Sequence, residues 1–270
     1  MRQRSKLFWP LAIFFAIFVL FLYGPISTIV VLSFQGEQGG LTFPMNGVST
    51  HWFYALFQQQ RVGDFKGSFL RSLGLGLIVM SICVTFGVMV GQAYRYRFKG
   101  ASALFYLSVA SLIVPNILIS LGIGVLFDRM GWSLAWYTSG LAAHLTWTLP
   151  FAMLIMLAIF NRFNRSYEEA ARDLGANGWT VLREVTLPLL APGVVSAGLF
   201  AFLLSWGNFP LSLFTTGADS TLPEWLYAKM VSGYSPLVPT LGVLTVVGSA
   251  TVIVIAVVVL RWFNRGHPTH

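Results

Sequence analysis

The sequence is poor in charge. Only 10% of its 270 residues are Asp, Glu, Lys or Arg, while 56% are hydrophobic; soluble domains carry about 25% charged residues. A chain like this has too little polar surface to cover a water-soluble globule of its size, which points to a polytopic membrane protein. Its single cysteine, Cys83, excludes an intrachain disulfide, and the apolar run around it predicts a buried, inert thiol. No Gly-Lys pair occurs, so there is no G-x-x-x-x-G-K-[ST] loop to cradle phosphates. Gly74 and Gly76 supply only two glycines of a G-x-G-x-x-G, inside an apolar stretch. No Cys/His cluster has metal-ligand spacing, and no G-x-S-x-G nucleophile elbow is present. None of the nine acids falls at the centre of an apolar stretch, where each would cost about 2.5–3.5 kcal/mol. That argues against a proton- or cation-driven transporter whose ion site lies in this chain. His144 is the titratable exception apart from tyrosines, and is read as facing a neighbouring helix.

What the chain does have is long apolar runs. A bilayer core needs roughly 20 apolar residues per helix, and six stretches qualify: about Phe8–Leu32, Ser68–Ala93, Ala101–Phe127, Leu134–Phe160, Leu189–Thr216 and Leu237–Trp262. The first is about twice the length of a signal-peptide core and no A-x-A site follows it, so it reads as an uncleaved span. With the N-terminus inside, twelve basic residues lie on the cytoplasmic side: Arg2, Arg4, Lys6, Arg95, Arg97, Lys99, Arg162, Arg165, Arg172, Arg183, Arg261 and Arg265. Five lie opposite, namely Arg61, Lys66, Arg71, Arg129 and Lys229. The positive-inside rule then puts both termini in the cytoplasm. The acids divide evenly, so the net +8 is cytoplasmic and reports topology, not a nucleic-acid partner. Pro25, Pro115, Pro150, Pro192 and Pro210 punctuate the spans, and Gly87-xxx-Gly91 allows close approach of a second helix. The run from His51 to Phe57 reads as a short amphipathic helix at the outer interface.

The stretch "SYEEAARDLGANGWTVLREVTLPLLAP", residues 166–192, interrupts the oil with charge. Ser166 and Glu169 have capping-box spacing, and Glu168 and Glu169 lie in the first turn, where the helix dipole favours acids. Ala170 and Ala171 give a face without bulk, Gly175 suits a left-handed stop, and Asn177-Gly178 suits a turn. Trp179 to Val185 starts a second short helix, and Pro188 opens the fifth span. Two short helices with a small-residue face are more than a linker needs; they suit a surface to be gripped.

Glu169-Ala170-Ala171, three residues, Gly175, nine residues, then Val185-x-Leu187-Pro188 resembles the EAA signature of binding-protein-dependent ABC importer permease subunits. Val185 in place of isoleucine is the one departure. "YRYRFKG" (94–100), "FTTGADSTLPEWLYAKM" (214–230) and the overall length resemble the spermidine/putrescine-type permeases within that family. The resemblance implies an all-α membrane protein with six transmembrane helices and the type I ABC importer permease fold. It implies one permease domain over 1–270, with a cytoplasmic coupling loop over 161–188. Its partners would be two ATP-binding cassette subunits, which bind the ATP-Mg, a second permease subunit and a periplasmic substrate-binding protein. The chain itself would be a non-enzymatic subunit without a cofactor, embedded in the bacterial inner membrane and unconnected with nucleic acid. Glu168, Glu169, Ala170, Ala171, Asp173, Leu174, Gly175 and Ala176 would dock the ATPase.

Polyamine-type relatives are expected to carry acids in the third and fifth spans. Here the aligned places are Val114-Pro115-Asn116 and Trp206-Gly207-Asn208-Phe209, where neutral Asn116 and Asn208 stand instead. A polycation would then need acids on the second permease, or cation–π contact with Trp206 and Phe209. Otherwise the solute is neutral or zwitterionic, such as an opine, a sugar alcohol or an aminophosphonate. Packing between helices, with Asn208 bonded to a carbonyl, is the alternative role for Trp206 and Asn208. A secondary transporter or channel, or a membrane-embedded enzyme or assembly factor, are the readings from other classes.

Overall fold

A computed structural model describes residues 7–58, 64–96, 98–233 and 235–265. Arg2, Arg4, Lys6, Arg61 and Arg97, counted for topology above, lie outside the described residues, as do the side chains of Arg261 and Arg265. Among the described residues the chain is helical, with one isolated β-bridge between Gln35 and Val48. Five helices are long and apolar enough to cross a membrane, or six if one bent pair counts as a single span.

The runs predicted as spans become helices because backbone groups in hydrocarbon must be paired within the segment. Helix α1 covers Phe8–Leu32 as expected, α3 covers Phe65–Ala93, α6 covers Leu141–Arg162 behind a π turn at Trp136–Gly140, and α12 covers Leu237–Arg265. The expected interfacial helix is α2, His51–Ala55, shorter than the run that suggested it.

Two spans differ from expectation. The third, expected to run unbroken over Ala101–Phe127, is split into α4 (Ala101–Ser111) and α5 (Asn116–Arg129), bent by 101° at the break. Pro115 is the cause. It has no N–H to give, and it disfavours helical backbone in the residue before it. At 11 and 14 residues, with about 1.5 Å of rise each, neither piece alone crosses a core of about 30 Å. The fifth span, expected over Leu189–Thr216, is α9, Leu187–Trp206. It is preceded without a gap by a three-residue turn of helix, α8 (Gly178–Thr180), and a π turn (Val181–Thr186). Gly207 ends α9, and a short α10 (Phe209–Ser212) follows.

The described residues divide into two compact units. In Met1–Gly63 with Leu226–Ala250, the buried Gln35 organises the loop after α1. Its Nε2 donates to the carbonyls of Gly40 and Thr42, its Oε1 accepts from the Asn46 N–H, and Trp52 Nε1 donates to its carbonyl. In Asp64–Trp225 with Thr251–His270, helices α3, α6 and α9 pack around Leu75, Val79, Cys83, Ala152 and Ala201. Nearer the 163–186 end, Met156, Phe160, Leu190 and Ala197 continue that core. The Gly87-xxx-Gly91 pair faces α6: a Cβ on Gly87 would come 2.7 Å from Met156 Cγ, and one on Gly91 would collide with the Phe160 ring. Cys83 is free and buried, with its Sγ 3.3 Å from Thr148 Oγ1.

Candidate functional site

The charged loop folds as α7, Ser166–Asp173, between α6 and α8. Its start corrects the capping-box expectation. Ser166 is already helical and makes no capping bond; instead Asn164 Oδ1 accepts the Ser166 N–H at 3.0 Å. The reaching-back carboxylate occurs elsewhere in the chain, where Glu224 Oε2 accepts the Thr221 N–H at 2.7 Å and opens α11, Leu222–Ser232. The end of α7 is as the sequence predicts. Gly175 has φ +88°, its N–H donates to the Arg172 carbonyl at 2.8 Å, and the Ala176 N–H donates to the Ala171 carbonyl at 3.0 Å. This pair of bonds is a Schellman stop. Asn177 Oδ1 then accepts from the Thr180 N–H at 2.9 Å and caps α8. The π turn follows just before Pro188, whose ring would collide with the carbonyl of Glu184 in a regular α turn.

The predicted docking residues fall into two groups. Glu169, Ala170, Asp173, Leu174 and Gly175 are exposed, Ala171 and Ala176 half-buried. Leu174 is 90% exposed, and Trp179 and Tyr167 are exposed with it. Glu168 instead turns inward and is buried. Its Oε1 lies 2.7 Å from Arg95 Nη1 and accepts the Thr186 hydroxyl as well. Burial alone raises the Glu168 carboxyl, but hydrogen bonds from Arg95 and Thr186, with the charges of Arg95 and Arg172, hold it below the ordinary carboxylate value.

Arg95 lies just past the end of α3 and gathers this corner. Its Nη1 also donates to Gln92 Oε1 at 3.0 Å, and its guanidinium lies 5.3 Å from the Phe163 ring centre and 5.8 Å from that of Phe160. Arg165 Nη2 donates to the Arg95 carbonyl at 2.7 Å. The sequence reading counted Arg95 for topology and missed its partner. The signal was there in outline: a basic run after the second span and two adjacent glutamates, one more than the motif uses.

Of the predicted pathway residues, two meet. Asn116, first in α5, donates from Nδ2 to Asn208 Oδ1 at 3.2 Å. Asn208 sits in the break after α9; it caps the Leu211 N–H at 3.3 Å and donates to the Leu204 carbonyl at 3.3 Å. Trp206 is 7% exposed and faces α3 instead. Phe202 lies near-parallel to it at 5.7 Å and Phe69 meets it edge-on at 5.5 Å, so a cation has limited access to its ring. Its Nε1 is buried without a partner among the described residues. Phe209 is half-buried at the start of α10.

His144 does face helix neighbours, on both sides of the Gly207 break. Its Nδ1 is 2.8 Å from Ser205 Oγ in α9 and its Nε2 is 3.2 Å from Ser212 Oγ in α10. Further along, Ser120 Oγ accepts the Phe214 N–H, Ser139 donates to the Thr215 carbonyl, Arg71 Nε donates to the Ser220 carbonyl and Ser72 Oγ accepts the Leu222 N–H. The segment after α9 is thereby pinned to α3, α5 and α6.

A bundle of membrane-length helices carrying a glycine-stopped polar helix on a loop defines the class: a membrane protein of several spans. Residues 83–266 match the family described as binding-protein-dependent transport system inner membrane component, and the chain belongs to that family. It is 30% identical to the spermidine/putrescine transport system permease protein PotC of Haemophilus influenzae, over 97% of this chain and 100% of that one. Against PotC of Escherichia coli K12 the identity is 29% over 92% of each. Against the putrescine transport system permease protein PotI of the same strain it is 27%, over 83% of this chain and 81% of that one. In fold, the chain is similar to a solved bacterial ABC transporter involved in the import of the acidic polysaccharide alginate (TM-score 0.72, 14% identity, 94% and 95% coverage). It is also similar to the MetNI methionine ABC transporter in an inward-facing conformation (TM-score 0.57, 17% identity, 75% and 99% coverage). The chain is thus a permease subunit of an ABC importer in the inner membrane.

Proposed function

We propose that the importer moves a polyamine or related amine compound, and that separate ATP-hydrolysing subunits drive it through residues 166–178. The exposed Leu174 at the tip of a helix stopped by Gly175 carries this reading. With Tyr167 and Trp179 also exposed on this loop, Leu174 belongs to a group of large apolar side chains that suits a contact surface awaiting a partner. Glu169, Ala170, Ala171, Asp173 and Ala176 surround it, and Glu168 holds the helix from behind. The loop and both termini face the cytoplasm, in keeping with the excess of Arg and Lys on that side. The whole chain acts as one permease domain paired with a second, homologous permease, and a periplasmic binding protein delivers the solute to the opposite face.

ATP closes the two cassette subunits, and their movement carries the coupling helix and the spans joined to it. The cavity passes from inward-facing to outward-facing because ATP binds the two states with different affinity. The binding protein then releases its load. ATP-Mg is held by the cassette subunits, and this chain needs no cofactor. Asn116, Asn208 and Phe209 lie on the solute path, with Asn116 and Asn208 closing it as a pair, and Trp206 packs against α3 instead. The similarity to three polyamine permeases over most of the chain supports an amine cargo.

A second reading has its own observation. The paired amides of Asn116 and Asn208 offer donors and acceptors but no charge, which suits a neutral or zwitterionic solute.

The test is co-purification of the tagged chain with its partners from membranes. Wild type is expected to bring down a P-loop ATPase, and Leu174→Glu, a change at an exposed position, to lose it while remaining in the membrane. Retention of the ATPase by that variant, or uptake by this chain alone without ATP, would refute the reading.

A further inference from the structure

The chain path ties α7 to α6 and, through α8 and the π turn, to α9. Nothing in the path ties α7 to α3, which ends about seventy residues earlier; the gap is bridged at Arg95. That bridge is a tight one. The Arg95 and Glu168 side chains are 8% and 7% exposed, so water screens their attraction weakly. Gln92 fixes the guanidinium to the last turn of α3, and Thr186 fixes the carboxylate to the turn that enters α9. One carboxylate oxygen therefore joins α3, α7 and the approach to α9. The corner is also costlier than stability alone requires. Arg95 Nη2 is buried without a partner among the described residues, and an orphan of this kind in a native interior calls for an explanation.

We propose that the Arg95–Glu168 pair is a mechanical link that makes α3 a driven helix, so that the stroke received at α7 moves α3 together with α6 and α9. This rests on the reading that the loop is where the importer is driven. Arg95 and Glu168 are positioning residues in this account: neither touches ATP or solute. Because α3 lines the core opposite both α6 and α9, moving it with them shifts the bundle as a body, whereas leaving it behind shears the Gly87-xxx-Gly91 contact with α6.

The experiment uses the assembled importer in vesicles and reads solute uptake per ATP hydrolysed, with the amount of ATPase bound as a second readout. Arg95→Gln and Glu168→Gln each strand a buried group, so both are expected to lower the protein level. The decisive variant is the double Arg95→Met/Glu168→Leu, which removes both charges and leaves only the neutral Thr186 hydroxyl buried without its partner. It is expected to restore protein level and ATPase association while uptake per ATP stays down by about tenfold, an ordinary size for coupling between sites. Arg95→Lys, which keeps the charge, is expected to retain most of the coupling. Wild-type uptake per ATP in the double variant would overturn the link and leave the pair a structural one. Loss of ATPase association in the double variant would also overturn it, because docking and not transmission would then depend on the pair. Failure of the wild-type chain to bind any ATPase would instead refute the underlying reading of the loop.

Discussion

At the scale of single residues, the polar groups that matter here are the ones with two jobs. Glu168 answers both Arg95 and Thr186 with one oxygen. Because its carboxyl is held below the ordinary glutamate value of 4.5, its contribution is complete above that value and is lost as pH falls through the lower native one. Protection factors for amide exchange over residues 167–174, which remove the intrinsic pH dependence of exchange, are therefore expected to be unchanged between pH 7 and 5 and to fall only below about 4.5. Loss of protection already at pH 6 would contradict the ion pair. His144 answers Ser205 and Ser212 across the helix break. His144→Leu is expected to destabilise the chain by about 1–3 kcal/mol, the cost of leaving the buried Ser205 hydroxyl unpaired, seen as a lower melting temperature in detergent. A neighbouring helix for His144 was legible in the sequence, but no partner was legible for it or for Glu168, because groups such as Arg95 and Glu168 lie far apart in the chain and nothing local sets their distance. Gly175 was legible, because a left-handed stop is a local property of the backbone: its φ is +88°.

At the scale of elements, the sequence announced apolar runs faithfully and breaks less so. Helix α1 has the limits its hydrophobicity implies. The third span reads as a continuous oily stretch because hydropathy averages over Pro115, yet one missing N–H there is enough for a bend of 101°. The fifth span was drawn past Trp206 for the same reason: Phe209 to Phe214 is apolar enough to look like more helix, but hydroxyls of Ser120, Ser139 and Ser72 tie the segment from Phe214 to Leu222 into the fold instead. The Gly87 and Gly91 contacts make α3 and α6 a close-packed pair. Gly91→Leu is expected to lower the folded yield, since overpacking costs about 1–3 kcal/mol and the Phe160 ring stands where its Cβ would go. Normal yield and melting in that variant would mean that the two helices do not touch there.

At the scale of the whole molecule, the apolar surface asks for company. No residue of α1 is buried, although it is the most uniformly apolar helix, and lipid is the surrounding that suits it. The family follows from residues 83–266 and from similarity along nearly the full chain, and the EAA spacing made it legible because it is a local pattern along the chain rather than a packing solution. The cargo was less legible, since Asn116 and Asn208 come together only through the breaks at Pro115 and Gly207. The central claim is that ATP energy enters through the glycine-stopped helix. The most direct measurement is uptake per ATP hydrolysed by the assembled importer in vesicles, comparing wild type with Gly175→Val. A Cβ at Gly175 meets open space, so the substitution strains only the left-handed backbone, at φ +88°. The account predicts a variant that reaches the membrane and hydrolyses ATP with little accompanying uptake. A variant whose uptake per ATP equals that of wild type would contradict it.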